Sequence, residues 1–193
     1  MKTFNIHLSG VGGQGIGLLS ETILRAADHA GHTVKAVDTH GLAQRGGIVV
    51  SQIRMGGAVH SPLIPMHQAD LVVSLEKHEA LRATARFAKE ESTLIYYNTV
   101  WQPLDVRLGR ASQVSTEDIQ SLCQKLSVRI IEIYHPDLEE ARMQNVALLA
   151  GIDREGLIPQ IESRHYRRAM EDLMAGTMLK KNLALYESQR SAA

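Results

Sequence analysis

The chain has 193 residues, 44% hydrophobic and 22% charged, the balance of an ordinary globular chain with a packed core. Basic and acidic residues number 21 each, so no global field draws the protein to nucleic acid or to an anionic membrane. A single cysteine excludes an internal disulfide and an iron–sulfur cluster held by this chain alone, which needs several thiolates.

The first apolar run reads as a strand rather than a leader, and no stretch approaches the roughly 20 apolar residues that span a bilayer. A cytoplasmic protein is expected. Length favours one domain over residues 1–193, an α/β core to 150 followed by a helical tail over 151–193. With aromatics at 4%, the core is expected to be aliphatic.

The elements begin with a strand at Thr3–Ser9, a glycine turn, and a helix from Ile16 to about Ala30 that Gly31 stops. Thr33–Asp38 is a second strand. The stretch from Thr39 to Gly47 is too polar and glycine-rich for a regular element. Ile48–Met55 reads as a strand, and Gly56-Gly57 as a tight hairpin into a short strand at Ala58–Ser61.

Ala69–Leu75 is a buried type of strand, followed by a helix over Glu76–Lys89 and a strand over Thr93–Tyr97. Trp101–Gly109 is irregular. Ser115 and Asp118 stand three apart ahead of an apolar stripe, close to a capping box, and place a helix at Thr116–Lys125 with Cys123 on its buried side. Val128–Tyr134 is the last strand and Pro136–Ala150 a helix, and two further helices meet near Gly176. This order predicts an α/β three-layer sandwich, with a mostly parallel mixed sheet, one inserted hairpin and a helical tail.

Chemistry concentrates in two glycine-rich segments. Gly10-Val11-Gly12-Gly13-Gln14-Gly15 follows a strand and opens a helix, the setting in which bare backbone N–H groups and a helix dipole cradle an anion. Gly10, Gly12 and Gly15 satisfy G-x-G-x-x-G. The plainer alternative is a tight turn without a ligand. The second segment sets His40, Gln44 and Arg45 alongside Gly41, Gly46 and Gly47, and its arginine can hold a carboxylate or phosphate bidentately. A surface loop is the alternative there.

In an open sheet of this kind, both segments and the Glu76-Lys77-His78 turn are expected to converge at the carboxyl ends of the strands. Asp38 ends the second strand, where a nicotinamide-binding fold keeps its ribose-binding acid, so a stand-alone NAD(P)-binding protein is one alternative function. A purely structural assembly subunit is another. Nine histidines show no metal-ligand spacing, and His7, opposite Ile6 and Leu8, is expected to be a hydrogen-bonded packing residue. No residue stands out as an acid–base or nucleophilic catalyst. Asn145 lies on an apolar helix stripe and is expected to bridge to a loop.

Taken in order, Gly10-Val-Gly-Gly-Gln-Gly15, Asp38-Thr-His-Gly-Leu-Ala-Gln-Arg-Gly-Gly47, Val49-Val-Ser51, Ser61-Pro-Leu-Ile64 and Ala69-Asp70 form a recognisable series. It resembles the γ-type subunits of 2-oxoacid:ferredoxin oxidoreductases, and among them the small subunits of indolepyruvate oxidoreductases. The resemblance is densest over residues 4 to 80.

It implies a part in the oxidative decarboxylation of a 2-oxoacid to an acyl-coenzyme A, with ferredoxin or a similar acceptor. Thiamine diphosphate and the iron–sulfur clusters would belong to partner subunits; this chain lacks a GDG-type thiamine diphosphate motif. Coenzyme A is the cofactor implied for this chain. By the same resemblance, Gly10, Gly12, Gly13, Gln14 and Gly15 would seat its pyrophosphate or hold a subunit junction. His40, Gln44, Arg45, Gly46 and Gly47 would face the shared active site. Thiamine chemistry is carried by its cofactor, so none of them is expected to be an acid–base catalyst.

Overall fold

The computed structural model describes residues 3–40, 47–57, 59–101, 106, 108–109 and 112–191. Six strands make one sheet: β1 (Phe4–Val11), β2 (Val34–His40), β3 (Ile48–Met55), β4 (Ala69–Ser74), β5 (Ala88–Tyr97) and β6 (Arg129–Ile133). Their spatial order is β2-β3-β1-β4-β5-β6. The β1–β4, β4–β5 and β5–β6 pairs are parallel, while β3 runs antiparallel to both its neighbours. The sheet is therefore mostly parallel with one inserted hairpin, as expected.

The hairpin lies elsewhere than expected. It is β2–β3, and Val59–Ser61 forms no strand. Both edges of β3 are already taken by β2 and β1, so a following strand has nowhere to pair on it. Side chains hold the segment instead: Arg54 donates to the Ser61 carbonyl at 3.0 Å, and the Gln52 amide oxygen accepts from the Ile64 N–H at 2.6 Å.

Alternation along β1 sends Ile6 and Leu8 to one face of the sheet and His7 to the other. The first face is covered by α1 (Ile16–His29), and by α4 (Gln144–Arg154), α5 (Ser163–Leu173) and α6 (Gly176–Ser191) farther along the chain. The second face carries α2 (Lys77–Phe87) and α3 (Thr116–Leu126) over a smaller core that includes Leu94, Tyr96, Ile119 and Cys123. Ser115 and Asp118 form the expected capping box at α3. Cys123 is fully buried and burial pushes its thiol up to about 11, which leaves it an inert packing group.

Three boundaries differ from the sequence reading. Helix α2 stops at Phe87 and the chain enters β5 directly at Ala88, which pairs with Ala69, while Lys89 reaches the Asp70 carboxylate. The helix expected from Pro136 starts only at Gln144, after a single 3-10 turn over Ala141–Met143. The Tyr97 hydroxyl explains this: it donates to the His135 carbonyl and accepts from the His135 N–H, pinning the chain just ahead of a turn at 136–137 where a helix would have begun.

The 150/151 division, third, falls inside α4. Asp153 on that helix is 5% exposed and accepts from the Tyr186 and Ser163 hydroxyls, each at 2.6 Å. The tail thereby joins the main core, to which it brings Tyr166, Met170 and Tyr186. With Tyr96, two of these are fully buried tyrosines in a core that composition had suggested would be aliphatic.

Candidate functional site

Helix α1 leaves β1 over one face of the sheet, and α2 leaves β4 over the other. The carboxyl ends of β1 and β4 are thus a topological switch point, where open α/β sheets bind ligands. Ser9 accepts from the Leu75 N–H at 3.0 Å, which fixes the glycine turn and the start of α2 side by side. Gly12 donates its N–H to the Gly47 carbonyl at 2.8 Å, which brings the end of the second glycine-rich segment to the same place. Of the expected convergence, the glycine turn, Gly47 and the Leu75–Glu76 turn meet; the rest of the second segment lies outside the described residues.

Gln14 has a different role from the one expected. Its side chain is fully buried, its Oε1 accepting from the Val11 N–H at 2.7 Å and its Nε2 donating to the Leu75 carbonyl at 2.9 Å. It braces the turn across the switch point and has no group left for a ligand. Gly10 and Gly15 are there for space. A Cβ on Gly10 would lie 2.7 Å from Ile16 Cδ1, and one on Gly15 would lie 2.6 Å from Asn145 Nδ2.

The outward member of the turn is Gly13, exposed and at φ +105° with open space around it. Among the described residues its N–H and that of Gly15 meet no acceptor. Gly15 begins α1 without a side-chain cap, and no acid stands in the first turn, so this turn leaves the positive helix end unneutralised.

Of the second set, Gly47 is half-buried beside Gly12, and His40 pairs with Val49 at the end of β2. The His40 side chain, Gln44, Arg45 and Gly46 lie outside the described residues. Asn145 bridges as expected, its Nδ2 donating to the Gly15 carbonyl at 3.2 Å. Asp38 does not meet the turn. Strand β3 stands between β2 and β1, which places exposed Asp38 two strand spacings, roughly 10 Å, from β1. A nicotinamide site needs those strands adjacent, so the geometry gives the stand-alone NAD(P) alternative no ribose-binding acid.

Glu76 was expected at this convergence as part of the Glu76-Lys77-His78 turn, but not as a buried carboxylate. It is fully buried just past β4 and caps α2, accepting from the His78 N–H at 3.0 Å and the Glu79 N–H at 2.5 Å. Burial raises its carboxyl above the ordinary value, opposed by these N–H donors and by that of Trp101. Glu79 is 3% exposed; burial pushes it up to about 7 against the pull of Arg82, and the neighbouring Glu76 adds to the rise. The available signal was an acid immediately after a buried strand, with a second acid three residues on, the spacing of a helix start.

His7 is buried and stacks on Phe87 with ring centroids 4.0 Å apart, but its Nδ1 has no hydrogen-bond partner, so it is a packing residue without the expected bond. Burial, reinforced by Arg86, lowers it to about 4. The unfolded chain then binds the extra proton first, so stability is full above about 6.5 and declines as pH falls toward 4. His7→Phe is expected to remove on the order of 2 kcal/mol of that acid loss, read from urea midpoints at pH 7 and pH 4.5. Among the described residues no three His, Cys, Asp or Glu side chains gather as metal ligands, and no helix is long and apolar enough to cross a membrane.

Fold and site together define a doubly wound α/β protein whose switch point is built from backbone amides and braced by a buried glutamine. Residues 5–191 match the pyruvate ferredoxin/flavodoxin oxidoreductase family, and the chain belongs to it. Its relatives include an indolepyruvate oxidoreductase subunit IorB of Archaeoglobus fulgidus, 38% identical over 70% of this chain and 67% of the relative. The subunit IorB of Methanothermobacter thermautotrophicus is 31% identical over 98% of this chain and 97% of its own length.

Two solved structures share the fold. One is a 2-oxoglutarate:ferredoxin oxidoreductase from Magnetococcus marinus with 2-oxoglutarate, coenzyme A and succinyl-CoA bound (TM-score 0.72, 16% identity, 99% of this chain). The other is the pyruvate oxidoreductase subunit PORC of Thermotoga maritima (TM-score 0.66, 20% identity, 98% of this chain and 96% of that one). The chain spans only 31% of the Magnetococcus chain, so what that protein does as a whole exceeds what is matched here.

Proposed function

We propose that the chain is the subunit of a 2-oxoacid oxidoreductase that carries neither thiamine diphosphate nor an iron–sulfur cluster. It completes an active site shared with a partner and helps to seat coenzyme A. The supporting observation is the switch point itself, where the Gly13 and Gly15 N–H groups, which meet no acceptor among the described residues, and the uncapped start of α1 stand beside Gly47 and the Leu75–Glu76 turn. Backbone donors at a helix start suit a pyrophosphate, so Gly13 and Gly15 would hold that part of the coenzyme while Gln14 keeps the turn in shape. Gly10 and Gly12 then serve the architecture of the turn rather than the ligand.

The loop with His40, Gln44, Arg45 and Gly46 leads into Gly47 and would orient substrate or partner. With its one cysteine buried in α3, the chain cannot hold a four-thiolate cluster, so the electron carriers belong to the partner and pass electrons to a ferredoxin-type acceptor. Indolepyruvate is the substrate suggested by the IorB relatives.

The test is reconstitution with the co-purifying thiamine-binding subunit. The isolated chain is expected to show no 2-oxoacid-dependent reduction of ferredoxin, and the pair to show it. Arg45→Ala in the pair should lower turnover at least about tenfold, whereas a purely structural subunit would leave turnover intact.

A further inference from the structure

Behind the glycine turn lies a cavity of about 510 Å³, bounded by the starts of α1, α4 and α6 and within the size range of small-molecule sites. None of these helices has an acidic residue in its first turn, and neither Gly15 at α1 nor Met143 at α4 supplies a side-chain cap. The positive ends of α1 and α6 therefore meet around one space with no carboxylate in their first turns. The first N–H of α4, on Gln144, is already bonded within the preceding 3-10 turn. Arg142 and Lys181 stand at its edge, each in an exposed ion pair, with Glu140 and Glu139 respectively. Glu140 also lines the cavity, and surface pairs of this kind exchange partners at little cost.

A second feature is independent of the helix ends. Asn145 and Asn182 line the cavity while only 4% and 8% exposed. Each commits its amide nitrogen internally, to the Gly15 carbonyl at 3.2 Å and the Met178 carbonyl at 2.8 Å. Neither side-chain oxygen receives a hydrogen bond from a described residue, and neither is sealed off among the buried unpaired atoms. Two acceptors are thus held at the wall of the cavity, without donors among the described residues.

We propose that this cavity binds a phosphate ester bearing hydroxyl or N–H groups. The phosphate takes the helix starts with Lys181 and Arg142, the ligand's donors meet the two asparagine oxygens, and its apolar part lies against Leu18, Met143 and Met178. Helix ends contributed by two separate elements, with the Arg142 and Lys181 cations beside them, suit a tetrahedral oxyanion, with oxygens on several sides, better than a planar carboxylate. The cavity shares Gly15 and the start of α1 with the coenzyme A reading of the glycine turn, but its α4 and α6 lining lies outside that reading. Coenzyme A is one ester of this class and free nucleotides are another.

The test titrates adenosine 5′-diphosphate into the full chain by calorimetry. Saturable binding with Kd below about 1 mM is expected, with Lys181→Glu weakening it at least about tenfold. Thr177→Asp, at an exposed position in the first turn of α6, should weaken it comparably while keeping or raising the melting temperature, because an acid there favours the helix but repels the ligand. Gly13→Asp, which charges the outward turn, should change the affinity less than about twofold.

Absence of saturation overturns the proposal, as does loss of binding in Gly13→Asp with Lys181→Glu unaffected. Inorganic phosphate binding as tightly as the diphosphate ester overturns the ester assignment. Coenzyme A added as competitor separates the sources: displacement makes the cavity a seat for that cofactor's phosphates, and simultaneous binding makes it a separate nucleotide site.

Discussion

Gly15→Ala is expected to destabilise the protein by about 3 kcal/mol, several times the cost of Gly13→Ala one turn position away. Both glycines have positive φ, +84° and +105°, and any L-residue there carries a conformational penalty on the order of 1 kcal/mol. Their surroundings differ. Nothing lies within 4 Å of a Cβ on Gly13, whereas on Gly15 it would meet Asn145 Nδ2 at 2.6 Å and Asn145 Cγ at 3.2 Å.

Asn145 cannot withdraw cheaply, because it is 4% exposed and its amide is bonded to the carbonyl of Gly15 itself. Overpacking of that kind adds about 1–3 kcal/mol. Urea unfolding of the two variants should therefore separate steric from conformational cost, with melting temperature falling by roughly 6–12 °C for Gly15→Ala. Equal losses in the two variants would mean that Asn145 moves freely and that the bridge is unimportant.

Residues with strong local signals were legible in the sequence. The strand–glycine–helix start, the capping box at Ser115 and the break near Gly176 all express backbone chemistry that acts over a few residues. The partner of β3 was not legible, since Gly56-Gly57 is a sound hairpin signal locally and fails only because β1 and β2 already occupy both edges of that strand. The helix start at Gln144 was hidden for the same reason: Tyr97 sets it from far away in the chain.

The site was half legible. Glycines announced an amide-lined turn, but not which side chain would face inward, and Gln14 looked as free as Arg45 on paper. Asn145 was legible as a bridge because a lone amide on an apolar stripe must find a partner. The turn holding Glu76 was placed at the switch point, but its burial beside Glu79 was missed, because a buried carboxylate pair owes its character to desolvation, which no local pattern records.

Gln14→Leu is expected to cost about 4 kcal/mol, although leucine nearly matches glutamine in volume and suits a buried position. The loss comes from the two backbone groups left behind, the Val11 N–H and the Leu75 carbonyl, each about 1–3 kcal/mol when buried without a partner. Gln14→Glu should fare no better, since its second oxygen would face the Leu75 carbonyl where an N–H donor now sits. Denaturant midpoints of both variants against the wild type give the magnitude.

Function should follow the fold in a particular way. Gln14 exposes no surface, so any loss of partner binding in these variants must track the fraction unfolded and recover at low temperature or with a stabilising osmolyte. An assembly defect that persists in fully folded Gln14→Leu would show instead that the brace sets the distance between the two chain segments at the switch point, so that Gly13 and Leu75 drift apart while the core survives. Circular dichroism on the same sample as the binding measurement distinguishes the two.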